Sequence, residues 1–396
     1  MDGGSDGLNI AVVGAGIAGL ATAAALERAG LRCTVYERSQ RLAAVGAGIQ
    51  ISPNASRLLH RVGLAERLES VAVRPEALEL RRWDDGRLLG RTVLGDRCEE
   101  LFGAPYYTLH RADLHSALLE TVRSDVRLGY TCEGVEELER HALLRFSEKR
   151  TETADVVVGA DGIKSTVRNA LLTDRPRFSG QVVYRGLVPT EAVLDPHDSV
   201  PKVTVWLGPA QHCVFYPVSG GRLVNFVATV PSEDPWQEES WMATGRVEDL
   251  RRAYTCWHRQ VRQLFAEANA VTRWALHDRD LYPTWSTARL AVVGDAAHPM
   301  LPFIAQGSNQ AVEDAFALAA SLGSCGGQID AALERYQVVR VPRVAKIHRE
   351  SRSSTSNFHL DDGPAQQDRD VTLRDVHELH NRSWLFGHDV ESSFES

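Results

Sequence analysis

Several residue types and patterns are scarce in this chain, and each scarcity removes a class of function. Only Lys149, Lys164, Lys202 and Lys346 are lysines among 44 basic residues, a compositional bias with little chemical content. The formal net charge is −8. No basic surplus exists of the kind that nucleic acid or an anionic membrane demands of a partner. The six cysteines, Cys33, Cys98, Cys132, Cys213, Cys256 and Cys325, are scattered and form no CxxC pair. Neither a redox pair nor a zinc site fits that spacing, and no metal is expected. Free thiols in a reducing, cytoplasmic compartment are the simplest reading. No apolar run reaches the roughly 20 residues of a transmembrane helix. The apolar stretch at 10–26 lacks the basic leader of a signal peptide. Internal repeats and low-complexity tracts are missing. What remains, 43% hydrophobic and 24% charged residues, is ordinary for a globular protein. A length of 396 residues exceeds what one core usually supports, so two domains are expected.

The most informative segment is NIAVVGAGIAGLATAAALERAGLRCTVYER. Residues 9–13 predict a buried strand, 17–29 an Ala-rich helix, and 31–36 a second strand ending at Glu37. Gly14 permits the tight turn, Gly16 lets backbone approach a pyrophosphate, and Gly19 lets the helix lie close on the sheet. The helix N-terminus offers free N–H groups and a positive dipole end to phosphates. Glu37 suits ribose hydroxyls and argues against a 2′-phosphate. One such fingerprint is present and a second is absent, as is a redox CxxC. That excludes a two-cofactor reductase of the disulfide type.

Further along, AAVGAGIQISPNASRLLHRVGL pairs a Gly-rich segment with an amphipathic helix carrying Leu58, Leu59, Val62 and Leu64. Gly46 and Gly48 are consistent with close approach to a flat or phosphorylated group, or with an ordinary loop. Residues 76–95 read as strands joined at Asp84-Asp85-Gly86. Arg111 precedes a helix, either as a surface ion-pair partner or as a cation beside a phosphate. Residues 154–159 and 289–293 are continuous apolar runs, hence buried parallel strands. Between them, VVYRGLVP, KVTVWLG, HCVFYPV and RLVNFVATV predict an antiparallel sheet, followed by a helical stretch at 247–268. Helices at 309–322 and 330–351 follow, then a polar tail whose end, SWLFGHDV, is anchored by Trp384, Leu385 and Phe386. The fold class is α/β: a Rossmann-type parallel-sheet domain, discontinuous at 1–75, 100–178 and 280–350. An antiparallel substrate domain at 76–99 and 179–279 is inserted, and residues 351–396 form a C-terminal helical tail.

Three motifs stand in order: GAGIAG at 14–19, GADGIKSTVR at 159–168, and GDAAHPMLPFIAQGSNQAVEDA at 294–315. Together they resemble the class A flavoprotein monooxygenases, the single-component aromatic hydroxylases. GAGIQISPN, TLHRADL and SWLFGHDV place the resemblance nearest the salicylate hydroxylase and 6-hydroxynicotinate 3-monooxygenase branch. It spans nearly the whole chain. The resemblance implies that Gly14, Gly16, Ala18, Gly19 and Glu37 hold the ADP half of FAD, with Arg38 and Arg111 also in contact. It implies that Asp161 serves FAD and NAD(P)H binding and that Asp295 holds the ribityl chain. Pro302, Gln306, Gly307, Ser308 and Asn309 would flank the isoalloxazine, with Gly48 on its other side. The competing readings make Asp161 and Asp295 helix caps and His298 a structural residue. Where the family often has Gly-Gln-Gly, this chain has Ala305-Gln306-Gly307.

The resemblance further implies the reaction. NADH or NADPH reduces FAD, O2 adds at the flavin C4a, and the hydroperoxide hydroxylates a small phenolic or N-heteroaromatic acid, with or without loss of CO2. The alternative is epoxidation or oxidation of a larger metabolite, and a flavin-binding protein without turnover is a third reading. Such chemistry needs a dry pocket and a base for the phenolic proton. His212 and Tyr216, four apart on one strand, point to one face and are the catalytic candidates. Solvated-turn and core roles compete for them. Trp206 and Phe226 form a candidate aromatic wall or core packing, and Arg185 a candidate partner for a substrate carboxylate or a support for the sheet. The expected partner is a small aromatic molecule, with no nucleic acid or membrane, and the protein a monomer or homodimer.

Overall fold

The structure is a computed structural model and describes residues 7–42, 46–193, 200–233, 243–376 and 378–394. Residues 43–45 of the Gly-rich segment lie outside it.

Five parallel strands form the nucleotide sheet in the order Leu290–Val292, Val156–Gly159, Ile10–Val13, Cys33–Glu37 and Asp125–Leu128. Val156, Val157 and Val158 are wholly buried, as are Ile10 and Val12. A strand covered on both faces must be apolar at every position, which is why these segments show no alternation. The sheet is assembled from strands far apart in sequence, so two of the resemblance motifs meet at its centre. Val13 pairs with Gly159, and the turns following both strands touch. Helix Ile17–Arg28 covers the sheet and packs along Gly307–Gly323.

The second sheet has eight strands and is mostly antiparallel. The strands Ala77–Arg82 and Leu88–Val93 join it, and Ala77–Arg82 runs parallel to Lys202–Gly208, an exception to the expected pattern. One face buries Trp206, Phe226, Tyr254, Trp257 and Phe265 beneath two helices, Val247–Ala253 and Arg259–Ala266. The single helical stretch expected here is broken between them, where Tyr254 donates its hydroxyl to the carbonyls of His212 and Thr229, 2.7 Å each. The other face packs Val183, Val214 and Val227 with Leu301, Phe303 and Phe358.

A three-stranded sheet, Cys132–Glu137, Ala142–Phe146 and Thr151–Ala154, has no counterpart in the sequence reading. Its charged, half-exposed strands carry a weak alternation signal. The long helix runs from Ile329 to Phe358, past its expected end at 351, and a further helix, Pro364–Val376, follows. Leu385 and Phe386 of the tail are buried against Phe102, Tyr106 and Ile347.

Candidate active site

The glycine loop is shaped by backbone contact. Gly14 has φ +106°, and a Cβ there would lie 2.5 Å from the Ala160 carbonyl oxygen. A Cβ on Gly19 would lie 1.8 Å from the Gly14 carbonyl oxygen. Gly16 differs: nothing stands within 4 Å of where its Cβ would point. It is the N-cap of Ile17–Arg28, with no side-chain cap and no acid in the first turn. The helix therefore turns unsatisfied N–H groups toward open space, the arrangement an anion fills. Gly307 at the start of Gly307–Gly323 is equally open, and that helix also lacks a side-chain cap. Ala18 and Ala311 grip Gly294 between the two helices; a Cβ there would meet their methyls at 2.9 and 3.1 Å. Ala18 is thus a packing residue.

Glu37 accepts hydrogen bonds from the N–H groups of Ala15 and Ser39, both at 2.9 Å, leaving carboxylate lone pairs for a ribose. His115, which the sequence reading missed, contacts the Ala15 carbonyl at 2.7 Å and steadies the loop from the helix Arg111–Thr121. Asp161 accepts from Ser165 and from the N–H groups of Thr166 and Val167. This is the helix-cap arrangement. Asp295 is exposed in the turn after Leu290–Val292, with Arg111 and His298 facing it electrostatically. An accessible carboxylate there suits the hydroxyls of a polar chain. Arg111 is half-buried; burial lowers its basicity and Asp295 opposes that. Arg38 is exposed at the end of the second strand. These features fit FAD: two open helix starts for phosphates, an acid for ribose, and an accessible acid for a polar chain.

Pro302 opens a short 3-10 turn that ends at Ala305 with φ +52°, the left-handed region. Asn309 donates to the carbonyls of Ala305 at 2.7 Å and Gln50 at 3.0 Å and accepts from the Ser52 N–H at 2.9 Å. Gln306 donates to Ser52 Oγ at 3.0 Å and accepts from Asn54. Gln306 and Asn309 therefore clamp this loop to the strand Gly48–Ile51 and the helix Pro53–Arg61 by their side chains. Ser308, like Gly307, sits half-buried in the first turn of the helix. Beneath it lies a buried charged cluster that motif reading did not reveal. Glu313 is bound by Arg340, Arg343 and Asn54, and Asp314 by Arg340, His298 and the Gly294 N–H. His298 is structural in this cluster.

On the sheet face toward the cleft stand His212, Val214 and Tyr216. Trp206 pairs with Cys213 and Phe226 with Phe215, so both rings fall on the opposite face, in the helix-covered core. The aromatic wall expected of them does not line the cleft. Gly48, on a strand paired with Tyr107–His110, meets the eight-stranded sheet: its N–H donates to Asn225 Oδ1 at 2.6 Å, and a Cβ there would strike Asn225 and Tyr216 at 2.7 Å. Tyr106 donates to Gln50 Oε1 at 2.7 Å, and Gln50 in turn hydrogen-bonds Tyr216. Burial pushes the Tyr216 phenol up to about 12, against Arg185 and Gln50. The Arg185 guanidinium carbon lies over the Trp274 indole, 4.1 Å from its centroid, facing Tyr216 and Arg111. Burial brings its guanidinium down to about 10. His212 is buried, its Nδ1 2.8 Å from Nε2 of His359. Burial and His359 hold it well below its ordinary value. Gln50, Asn225 and His359 escaped the sequence reading because each meets its partner across a long stretch of chain.

Known proteins give the same picture. The sequence profile of the FAD binding domain family matches residues 8–351. A 3-amino-4-hydroxybenzoate 2-monooxygenase of Streptomyces platensis is 48% identical over 96% of both chains. A 6-hydroxynicotinate 3-monooxygenase of Pseudomonas fluorescens is 33% identical over 96% of this chain and 95% of its own. A salicylate hydroxylase substrate complex superposes with a TM-score of 0.84 at 29% identity, covering 98% of this chain and 97% of the other. The open helix starts, the ordered motifs and these relationships agree: this chain belongs to the FAD-binding-domain family of class A flavoprotein monooxygenases.

Proposed function

We propose that this monooxygenase hydroxylates a small benzoate ring bearing a hydroxyl and an amino group, of the 3-amino-4-hydroxybenzoate kind. The observation that carries the reading is Arg185 beside Tyr216 on the cleft face: a cation set next to a phenol, one to meet a carboxylate and one a ring hydroxyl. The relatives whose names pair those groups, at 46–48% identity, support the amino substituent.

When bound, FAD supplies oxygen activation, with NAD(P)H as reductant and O2 as oxidant. The residues of this chain position the ring and manage its proton. Arg185, pinned on Trp274, receives the carboxylate. Tyr216, kept protonated by burial, donates to the ring oxygen and holds it in register with Gln50. His212, neutral at pH 7, accepts the phenolic proton, which makes the ring more nucleophilic. Val183, Val227, Leu276, Leu301 and Phe303 pack as an apolar floor that excludes water.

The test follows NADH and NADPH oxidation with 3-amino-4-hydroxybenzoate, salicylate, 3-hydroxybenzoate and 6-hydroxynicotinate, measuring H2O2 and product together. Stimulation with coupled hydroxylation is expected to be strongest for the aminohydroxybenzoate. Coupled turnover of a ring lacking the amino group, with none of 3-amino-4-hydroxybenzoate, would refute the substrate assignment. Arg185→Met is expected to raise KM by roughly 10–100-fold, the loss of a charge-assisted bond of about 1.5–3 kcal/mol.

A further inference from the structure

Behind His212 stands a second imidazole. His359 follows directly on the helix Ile329–Phe358 and is fastened to the large sheet, its carbonyl accepting from the Ala210 N–H at 3.1 Å. Its Nε2 lies 2.8 Å from His212 Nδ1, and the rings stack with centroids 5.0 Å apart and a 29° tilt. Two ring nitrogens at that distance need one proton between them. Thr229 Oγ1 accepts from the His212 N–H at 2.9 Å and lies 3.2 Å from the His212 carbonyl, to which it donates. It also stands 3.2 Å from His212 Nδ1 and 3.5 Å from His359 Nε2. With the threonine proton on the carbonyl, the proton on His212 Nδ1 points at His359.

The outward nitrogens complete the path. The ring contacts of His212 run through Nδ1 and those of His359 through Nε2, and His359 is partly exposed where His212 is buried. Phe303 and Phe358 meet the His212 ring edge-on, at 5.1 and 5.5 Å between centroids. Phe303 also meets His359 at 5.7 Å. Among the described residues the titratable group facing His212 is His359, and burial governs His359.

We propose that His359 is the positioning and relay residue through which His212 passes the substrate proton to solvent. The proposal rests on His212 being the acceptor of that proton. The ring O–H bond of the substrate breaks as an N–H bond forms at His212 Nε2. The Nδ1 proton of His212 moves to His359 Nε2, and His359 Nδ1 releases its own proton to water. One proton crosses and no electrons move. The low basicity of both imidazoles, which burial imposes, keeps either from trapping the proton as a stable cation.

The experiment mixes FAD-loaded enzyme with 3-amino-4-hydroxybenzoate without O2 or NAD(P)H, in weak buffer with a pH indicator. It reads proton release and the absorbance of the bound phenolate. His359→Ala is expected to slow release at least about tenfold and to recover with added imidazole. His359→Gln, close in shape but unable to relay, is expected to slow release with unchanged thermal unfolding, which keeps the test sound if the alanine variant folds poorly. Wild-type release in the glutamine variant, or slowing in the alanine variant that imidazole does not rescue, overturns the relay. His212→Gln separates the two ideas. If it still forms phenolate at the wild-type rate, His212 is not the acceptor and the relay falls with it. If phenolate is lost there while His359 variants behave as wild type, the relay alone is wrong.

Discussion

At single residues, the glycines of the first motif do two different jobs, and substitution separates them. Gly14→Ala places a methyl against the Ala160 carbonyl in a left-handed conformation and is expected to destabilise the fold by roughly 3–5 kcal/mol. Gly16→Ala meets open space. Unfolding of the apoprotein is expected to change by no more than about 1 kcal/mol, while FAD affinity falls at least about tenfold, read by flavin fluorescence titration. Equal losses in both measurements would show that Gly16 is structural as well. Ala305 is the reverse case, an L-residue at φ +52° where glycine is at ease. Ala305→Gly is expected to stabilise the protein by about 0.5–1 kcal/mol in chemical denaturation.

Much of this residue-level chemistry was legible in the sequence. The glycine loop and Glu37 could be read because each answers a local need at fixed spacing. His212 and Tyr216 share a face because strand periodicity is two. For Trp206 and Phe226 the sequence left an aromatic wall and core packing open, and core packing holds, because the face of a neighbouring strand depends on register. The Gly208-Pro209 turn sets Trp206 opposite Cys213, which points away from the cleft. The partners of His212 and Gly48 were invisible, since contacts across 147 and 177 residues leave no local trace. Asp161 satisfies a helix start, a role that its motif does not distinguish from ligand binding.

Among the elements, the helix Gly307–Gly323 carries the heaviest electrostatic load. Its Glu313 and Asp314 are buried with Arg340, and both carboxyls sit below their ordinary range because the flanking cations outweigh burial in sum. Around this region His348 and His388 are held at about 4, chiefly by burial. The sign of the pH dependence follows. Above about pH 6.5 both histidines are neutral in folded and unfolded chains. As pH falls from there toward 4, the unfolded chain takes up protons that the folded chain refuses, so stability declines. Below about pH 4.5 the depressed carboxyls add to the loss. Urea midpoints are therefore expected to fall steadily from pH 7 to pH 4, and a midpoint that is flat or rising over that range contradicts this assignment. Sequence patterns find the helix but not its load, because its acids meet arginines that lie on another helix, Ile329–Phe358.

For the whole molecule, the decisive seam is at Gly48, where the two-stranded sheet of Gly48–Ile51 and Tyr107–His110 meets the eight-stranded sheet. The N–H bond of Gly48 to Asn225 and the absence of a side chain let Tyr216 approach the cleft. Gly48→Ala is expected to leave FAD binding within about threefold but to lower kcat/KM at least about tenfold, since a misplaced reactant is costly even when the cofactor is held. Titration of FAD beside steady-state turnover checks it; a proportional loss of both would move the defect to the cofactor.

The large sheet has one face committed to the helix-covered core and one to the cleft. Trp206 and Phe226 sit on the first, Val183, Val214 and Val227 on the second. Because side chains alternate, a strand accepts a new residue on the second face without disturbing its neighbour on the first. Selection therefore has a surface on which to retool substrate preference at little risk to folding. Relatives that differ in the ring they oxidise are expected to have diverged first along these alternate positions.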